Sequence, residues 1–157
     1  MKLAHTLMQA VNSAEIFTFG TRLTRVTRPL RLKRREQALN AVAHLVSDWD
    51  GGTRIGDALQ AFLAVPRFGG YARGAAVIIV SDGLERGDVS ALRDAVAKLS
   101  RRAWRLSWLT PLATSSGFVP QTEALIAIAP FVDEMADGGS STAIVSHVLS
   151  LGSRKAA

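Results

Sequence analysis

The 157-residue sequence contains no cysteine, which excludes disulfides and thiolate metal sites. This lack favours a cytosolic setting, because structural disulfides belong mainly to oxidising compartments. No hydrophobic run is long enough to cross a membrane, and segment 1–10 lacks the apolar core and cleavage site of a signal peptide. We therefore expect a cytoplasmic protein without a membrane span.

Catalytic signatures are also lacking. The sequence has no GxSxG, HExxH or HxE…PCxxC motif, and no phosphate-binding GxxxxGK[ST] loop. We therefore expect a protein that is not an enzyme. What is present, 48% hydrophobic and 20% charged residues, indicates one globular domain. The net charge of +6 permits an acidic partner, either protein or nucleic acid, without selecting one.

The stretch Ala75–Gly83 (AAVIIVSDG) is the centre of the predicted fold. Its apolar residues run without alternation, which is typical of a strand buried on both faces in a parallel sheet. Ligands in such folds bind just beyond the carboxyl ends of the strands, where Asp82 stands. The same Asp-Gly pair is also typical of a simple turn, so both interpretations of Asp82 remain open.

Helical and strand patterns alternate along the chain. Apolar spacing predicts a helix at the start of the sequence and further helices at 38–46, 55–63, 89–99, 123–129 and 144–149. Asp88 is the predicted N-cap of the helix at 89–99. Strands are predicted at Ala14–Phe19, Leu23–Pro29, Ala75–Val80, Ala103–Leu109 and Phe131–Met135, and a loop at Pro66–Gly74. This order predicts an α/β fold: a doubly wound, mostly parallel sheet with helices on both faces.

Two oxygen-bearing side chains would converge in that topology. Thr53 follows two glycines at a predicted helix start, and Asp82 follows the central strand. A hydroxyl and a carboxylate are hard ligands of the kind that Mg²⁺ or Mn²⁺ prefers. Thr53 could equally be a helix N-cap, a common role for threonine.

A basic segment, Arg31–Arg35, offers an alternative function. Short charge runs are usually solvated surface. Together with Arg22, Arg25 and Arg28, however, this segment could form an edge that faces phosphates, as in a basic α/β domain that binds nucleic acid. We regard nucleic acid as the less favoured partner.

Four ordered motifs carry a family resemblance. Gly51–Leu59 (GGTRIGDAL) and Val77–Asp88 (VIIVSDGLERGD) resemble the second and third metal-site loops of a von Willebrand factor A (VWA) domain. Together with Phe19–Arg28 (FGTRLTRVTR) and Trp108–Pro111 (WLTP), they resemble the CoxE-like branch of that superfamily. The resemblance implies a non-enzymatic protein-interaction module. It further implies a MoxR-type AAA+ ATPase as partner, in maturation or remodelling of a client metalloenzyme such as a molybdenum hydroxylase.

The resemblance also implies a metal-ion-dependent adhesion site (MIDAS), where an acidic group of the partner completes the coordination of a divalent ion. Thr53 would be the metal-site threonine and Asp82 the third-loop aspartate. The residues around them are expected to contact the partner: Trp49, Asp50, Arg54 and Glu85. We expect Trp49 to lie at the carboxyl end of the sheet beside Thr53 and Asp82.

One part of the family pattern has no counterpart here. The family's site begins with DxSxS after a first strand, and the present sequence begins within the helix that follows. The resemblance thus implies that residues 1–157 form a single VWA-like domain that is incomplete at its amino end. The missing central strand would lie between Ala14–Phe19 and Ala75–Val80. With Thr53 and Asp82 alone, we expect no Mg²⁺ or Mn²⁺ to bind this chain.

Overall fold

A computed structural model of the protein describes residues 1–11, 13–46, 52–114 and 117–155. The helices are α1 (Lys2–Ala10), α2 (Thr27–Leu30), α3 (Arg35–Leu45), α4 (Ile55–Ala64), α5 (Pro66–Tyr71), α6 (Val89–Ser100), α7 (Glu123–Ile128) and α8 (Ser141–Lys155). The strands are β1 (Phe17–Phe19), β2 (Leu23–Arg25), β3 (Ala76–Val80), β4 (Arg105–Thr110) and β5 (Glu134–Asp137). A 3-10 turn at Ala129–Phe131 follows α7.

The strands form two sheets. β3, β4 and β5 pair in that order and run parallel, with Ile78 opposite Ser107. Helix α6 joins β3 to β4 and α7 joins β4 to β5, which is the helical crossover that parallel neighbours require. β1 and β2 form a separate antiparallel hairpin. The predicted α/β class is confirmed.

The larger hydrophobic cluster lies on one face of the parallel sheet. Leu106 and Trp108 of β4 are fully buried against Leu92 and Val96 of α6. The Trp108 indole Nε1 donates a hydrogen bond to the Ser81 carbonyl oxygen at 3.1 Å, so the ring satisfies its polar atom while it fills the core. Trp108 therefore fixes β4 to the residue that directly follows β3.

A second, smaller cluster lies between the hairpin and the amino-terminal helices. It consists of Met8, Val26, Leu30 and Val42, from α1, the end of the hairpin, α2 and α3. The two clusters share no buried residue. A small satellite cluster beside the main core is common within one domain.

The hairpin ends earlier than the sequence suggested. The prediction of a strand over Leu23–Pro29 is wrong beyond Arg25, because residues 27–30 form α2. Thr27 explains the change: its hydroxyl donates to the Glu15 carboxylate at 2.7 Å and accepts the Ile16 N–H at 2.9 Å. These bonds turn the chain out of the ladder, and the fixed φ of Pro29 is tolerated in the first turn of a helix.

Two further boundaries differ. Pro66–Gly74 was predicted to be a loop, but Pro66 begins α5 at a position that suits its fixed φ. The last strand was predicted at Phe131–Met135, but the 3-10 turn takes up the residues around Pro130 and shifts β5 to Glu134–Asp137. In both cases the proline lies in the first turn of a short helix.

The environment of β3 also differs from the prediction. Its apolar sequence predicted burial on both faces, but Ala76 is exposed and Val80 is 45% exposed. The reason is topological: β3 pairs with β4 on one side, and no strand of the described residues pairs with it on the other.

Candidate functional site at the carboxyl end of the sheet

The loop after β3 places Asp82 at the carboxyl end of the sheet, as predicted. The Asp82 Oδ1 atom accepts the backbone N–H of Leu84 at 3.0 Å, and the Ser81 hydroxyl oxygen accepts that of Gly83 at 3.2 Å. The turn interpretation of Asp82 is confirmed, and its role as a ligand stays a prediction. Its carboxylate builds the turn, and the side chain is exposed.

Gly83 fixes the position of this loop against α7. Its φ of 76° lies in the left-handed region, and a Cβ atom there would lie 2.7 Å from the Leu125 side chain. Glycine is therefore required both by backbone conformation and by close packing. The loop that carries Asp82 rests directly on the core.

Thr53 lies just before α4 and is half-buried. The alternative of a Thr53 N-cap is wrong, since Arg54 is the N-cap residue and no side chain caps from that position. The Thr53 carbonyl oxygen instead accepts the backbone N–H of Arg86 at 3.1 Å. This bond joins the Thr53 segment to the loop that follows β3, so the structure brings the two predicted loops together.

Glu85 supplies the cap that α4 lacks. Its Oε2 atom accepts the backbone N–H of Gly56 at 2.7 Å, and its Oε1 atom accepts that of Gly87. The carboxylate therefore lies at the positive end of the α4 dipole. Contact of Glu85 with a partner stays a prediction. The geometry gives Glu85 a positioning role between two loops, which no motif in the sequence indicated.

Arg54 links the site to the hairpin. Its backbone N–H donates to the Gly20 carbonyl oxygen at 3.1 Å, and its guanidinium lies 3.3 Å from the Asp57 carboxylate. Because both side chains are about half exposed, this ion pair is weak and leaves Arg54 accessible. Trp49 and Asp50, the other predicted partner-binding residues, lie outside the described residues.

We call the surface formed by segments 52–54, 81–88 and 111–114 the carboxyl-end face. It includes two exposed leucines that sequence analysis missed: Leu84, at 60% exposure, and Leu112, at 49%. Leu84 could have been found, because it is an isolated apolar residue in the polar stretch SDGLERGD. The sequence around Leu112 has no comparable pattern that would indicate an exposed apolar residue.

The donors on this face do not make a complete metal site. Among the described residues, no group of three or more His, Asp or Glu side chains could hold a metal ion. The Thr53 hydroxyl and the Asp82 carboxylate would leave most of an octahedral shell to water, and Mg²⁺ gives up water reluctantly. The described residues therefore do not fit a Mg²⁺ or Mn²⁺ centre.

The structure also changes the predicted basic edge. Arg25 forms two hydrogen bonds to the Glu15 carboxylate, at 2.8 and 2.9 Å, and lies 5.6 Å from the centre of the Tyr71 ring. The hydrogen bond from Arg25 lowers the pKa of Glu15, and burial of the carboxylate, which would raise that pKa, opposes this effect only in part. Arg25 is thus part of the hairpin's structure, whereas the other six basic residues of the edge are exposed: Arg22, Arg28, Arg31, Lys33, Arg34 and Arg35.

Comparison with known proteins gives one result. The sequence model of a family described as "VWA domain containing CoxE-like protein" matches residues 1–143, which include both sheets and the entire carboxyl-end face. No curated protein and no solved structure matches the chain. Within the described residues, none of the helices has the length and apolar character needed to span a bilayer.

Proposed function

The chain belongs to the family of CoxE-like proteins that contain a VWA domain, and we propose on that premise that it is a non-enzymatic protein-interaction module. The observation that supports this most is the construction of the carboxyl-end face. The Arg86 N–H bonds to the Thr53 carbonyl oxygen, and the Gly56 N–H at the start of α4 bonds to the Glu85 carboxylate, so segments 52–54 and 81–88 are joined. Two of the loops of this face are thereby held in one arrangement, which lowers the entropic cost of binding a partner.

The chemistry of the face suits a protein partner better than a small substrate. Leu84 and Arg54 are both well exposed, and so is Asp82, two residues before Leu84. Catalytic groups usually converge in a cleft that excludes water. Exposed apolar, cationic and anionic side chains on a held surface are instead what a protein interface uses.

The partner that the family suggests is a MoxR-type AAA+ ATPase, with a metalloenzyme of the molybdenum hydroxylase kind as client, in the cytoplasm. In this proposal Arg54 pairs with an acidic group of the partner, and Leu84 and Leu112 enter apolar pockets. Mg²⁺ or Mn²⁺ belongs to the complete family site, and residues 1–157 alone bind neither ion. This follows from the two donors available on the face.

Binding of the purified chain to the purified MoxR-type ATPase of the same organism tests this proposal. Leu84→Ala and Arg54→Glu should each weaken the complex by about tenfold or more, as interface anchors do. The matched controls are Leu149→Ala, at a leucine 70% exposed on α8, and Arg93→Glu, at an exposed arginine paired with a neighbouring aspartate. Equal affinity for all four variants, or no complex at all, would contradict the proposal.

A further inference from the structure

A second surface lies at the opposite end of the parallel sheet from the carboxyl-end face. Segments 67–75 and 98–104 directly precede β3 and β4, so both lie at the amino ends of these strands. The Gly74 N–H donates a hydrogen bond to the Arg102 carbonyl oxygen at 2.9 Å, which joins the two segments. We call the surface that they form the amino-end face.

The amino-end face is strongly basic. Its two segments contain no aspartate and no glutamate. Their five cationic side chains are those of Arg67, Arg73, Lys98, Arg101 and Arg102. Arg102 is half-buried and the other four are exposed. Among the described residues, none of the five forms an ion pair with a carboxylate, whereas the neighbouring Arg105 is bonded to Glu134 at 2.8 Å. The face therefore presents positive charge that the described residues do not neutralise by direct pairing.

Two of the arginines have contacts that orient their guanidinium groups. The Arg67 Nε atom donates to the Tyr71 hydroxyl oxygen at 2.8 Å. The Arg102 guanidinium packs on Gly69 of α5, where a Cβ atom would lie 2.5 Å from its Nη1 atom. Side chains that are already oriented lose less entropy when they bind a ligand.

One aromatic ring is exposed on this basic surface. Trp104 is 40% exposed. The other two aromatic residues of the face, Phe68 and Tyr71, are half-buried and stack on one another with 6.5 Å between ring centres. Tryptophan and arginine are the residues that most often anchor protein–protein interfaces. The composition of the amino-end face is thus that of an interface for an anionic partner.

The detail of the face favours an acidic protein segment over other anionic partners. Proteins that bind single-stranded nucleic acid stack successive bases on several aromatic rings, and this face exposes one. An anionic membrane attracts lysine and arginine alike through their charge. Four of the five cations here are arginines, whose planar guanidinium groups bind a carboxylate through two parallel hydrogen bonds.

We propose that the amino-end face binds an acidic segment of a partner protein. Carboxylates of that segment pair with Arg73 and Arg101, and an apolar side chain packs on Trp104. Strands of five and six residues, at about 3.3 Å per residue, separate this face from the carboxyl-end face by about 16–20 Å. The proposal therefore goes beyond the proposed function, and its test does not involve the ATPase.

Fluorescence anisotropy with a labelled synthetic peptide, made of glutamates with one leucine at its centre, tests the proposal on the purified chain at physiological ionic strength. The double variant Arg73→Glu/Arg101→Glu should weaken binding by about tenfold or more, because two attractions become repulsions. The matched control is Arg34→Glu/Arg35→Glu, since segment 28–35 also has five cations but no aromatic residue. This control changes the net charge equally and should weaken binding by less than about threefold, because exposed charges are screened over distance. Equal weakening by the two double variants, or no binding to the parent chain, would overturn the proposal.

Two further measurements test the apolar contact and the class of partner. Trp104→Ala should remove the preference for this peptide over polyglutamate without leucine, whereas Leu149→Ala, at a leucine 70% exposed on α8, should preserve it. An unchanged preference in Trp104→Ala would contradict the role of Trp104. The other candidate partners are represented by oligo(dT) and by vesicles of phosphatidylcholine and phosphatidylglycerol. Binding of either that is tighter than that of the peptide, and is lost in Arg73→Glu/Arg101→Glu, would overturn the assignment to an acidic protein segment.

Discussion

Glu85→Ala tests whether one carboxylate joins the two loops of the carboxyl-end face. The variant removes the acceptor of the Gly56 N–H at the start of α4. Gly56 is buried so closely against α6 that a Cβ atom would lie 2.8 Å from the Leu92 nitrogen, which leaves little room for water to replace the carboxylate. An unsatisfied buried N–H costs about 1–3 kcal/mol. Loss of a negative charge at a helix N-terminus adds about 0.3–1 kcal/mol.

The expected decrease in the free energy of unfolding is therefore about 2–3 kcal/mol, when both contributions are taken near the middle of their ranges. Glu36→Ala is the matched control, because Glu36 lies exposed in the first turn of α3. It should lose only the dipole contribution, about 0.3–1 kcal/mol. Urea denaturation of both variants and the parent chain measures the difference. Equal losses for the two variants would refute the bridging role of Glu85.

The remaining predictions concern stability, pH and metal. Gly83→Ala should lower the free energy of unfolding by about 2–4 kcal/mol, because it adds left-handed strain and overlap with the Leu125 side chain. Gly74→Ala, at a residue with a similar φ but open space around it, should lower it by about 1–2 kcal/mol. Similar losses for the two variants in urea denaturation would contradict the packing argument. Arg25 lowers the pKa of Glu15 in the folded state. The stabilisation of the fold by ionised Glu15 is therefore complete above the ordinary pKa of 4.5 and is lost as the pH falls through the lower pKa of the folded state. The stability difference between the parent and Glu15→Gln should therefore narrow between pH 6 and about pH 3, and a constant difference would refute the linkage. Calorimetric titration with Mg²⁺ should show no binding below millimolar concentration, and tight binding would contradict the donor analysis.

The elements that the sequence predicted well are those in which several local signals agree. β3 and α6 were found because an apolar run, an Asp-Gly turn and an Asp88 cap follow one another, and the Asp88 carboxylate does accept the Ser90 N–H. α5 was missed because Pro66 and the glycines suggest a loop, whereas packing of Phe68 on Phe17 stabilises a short helix. That contact joins residues distant in sequence, and no local pattern contains it.

The candidate site was predicted in composition and only partly in geometry. Asp82 lies at the carboxyl end of β3, where ligands of parallel sheets are expected. Thr53 follows no strand of that sheet, and its loop meets the Asp82 loop through the bond from the Arg86 N–H to the Thr53 carbonyl oxygen. The bond from Glu85 to Gly56 was not foreseeable, since glutamate at a loop position has no preferred partner in the sequence. The exposure of Val80 was also unforeseen, because an apolar run indicates that a strand is suited to burial but not whether a neighbouring strand covers it.

The most direct test of the proposed interaction is the footprint of the MoxR-type ATPase on this chain, measured by hydrogen–deuterium exchange with mass spectrometry. The account predicts that the ATPase slows exchange in peptides that cover segments 52–57 and 81–88. Peptides from α3 and from the basic residues 28–35 should be unchanged. Protection confined to residues 28–35, or no protection in segment 81–88 at saturating ATPase, would contradict the account.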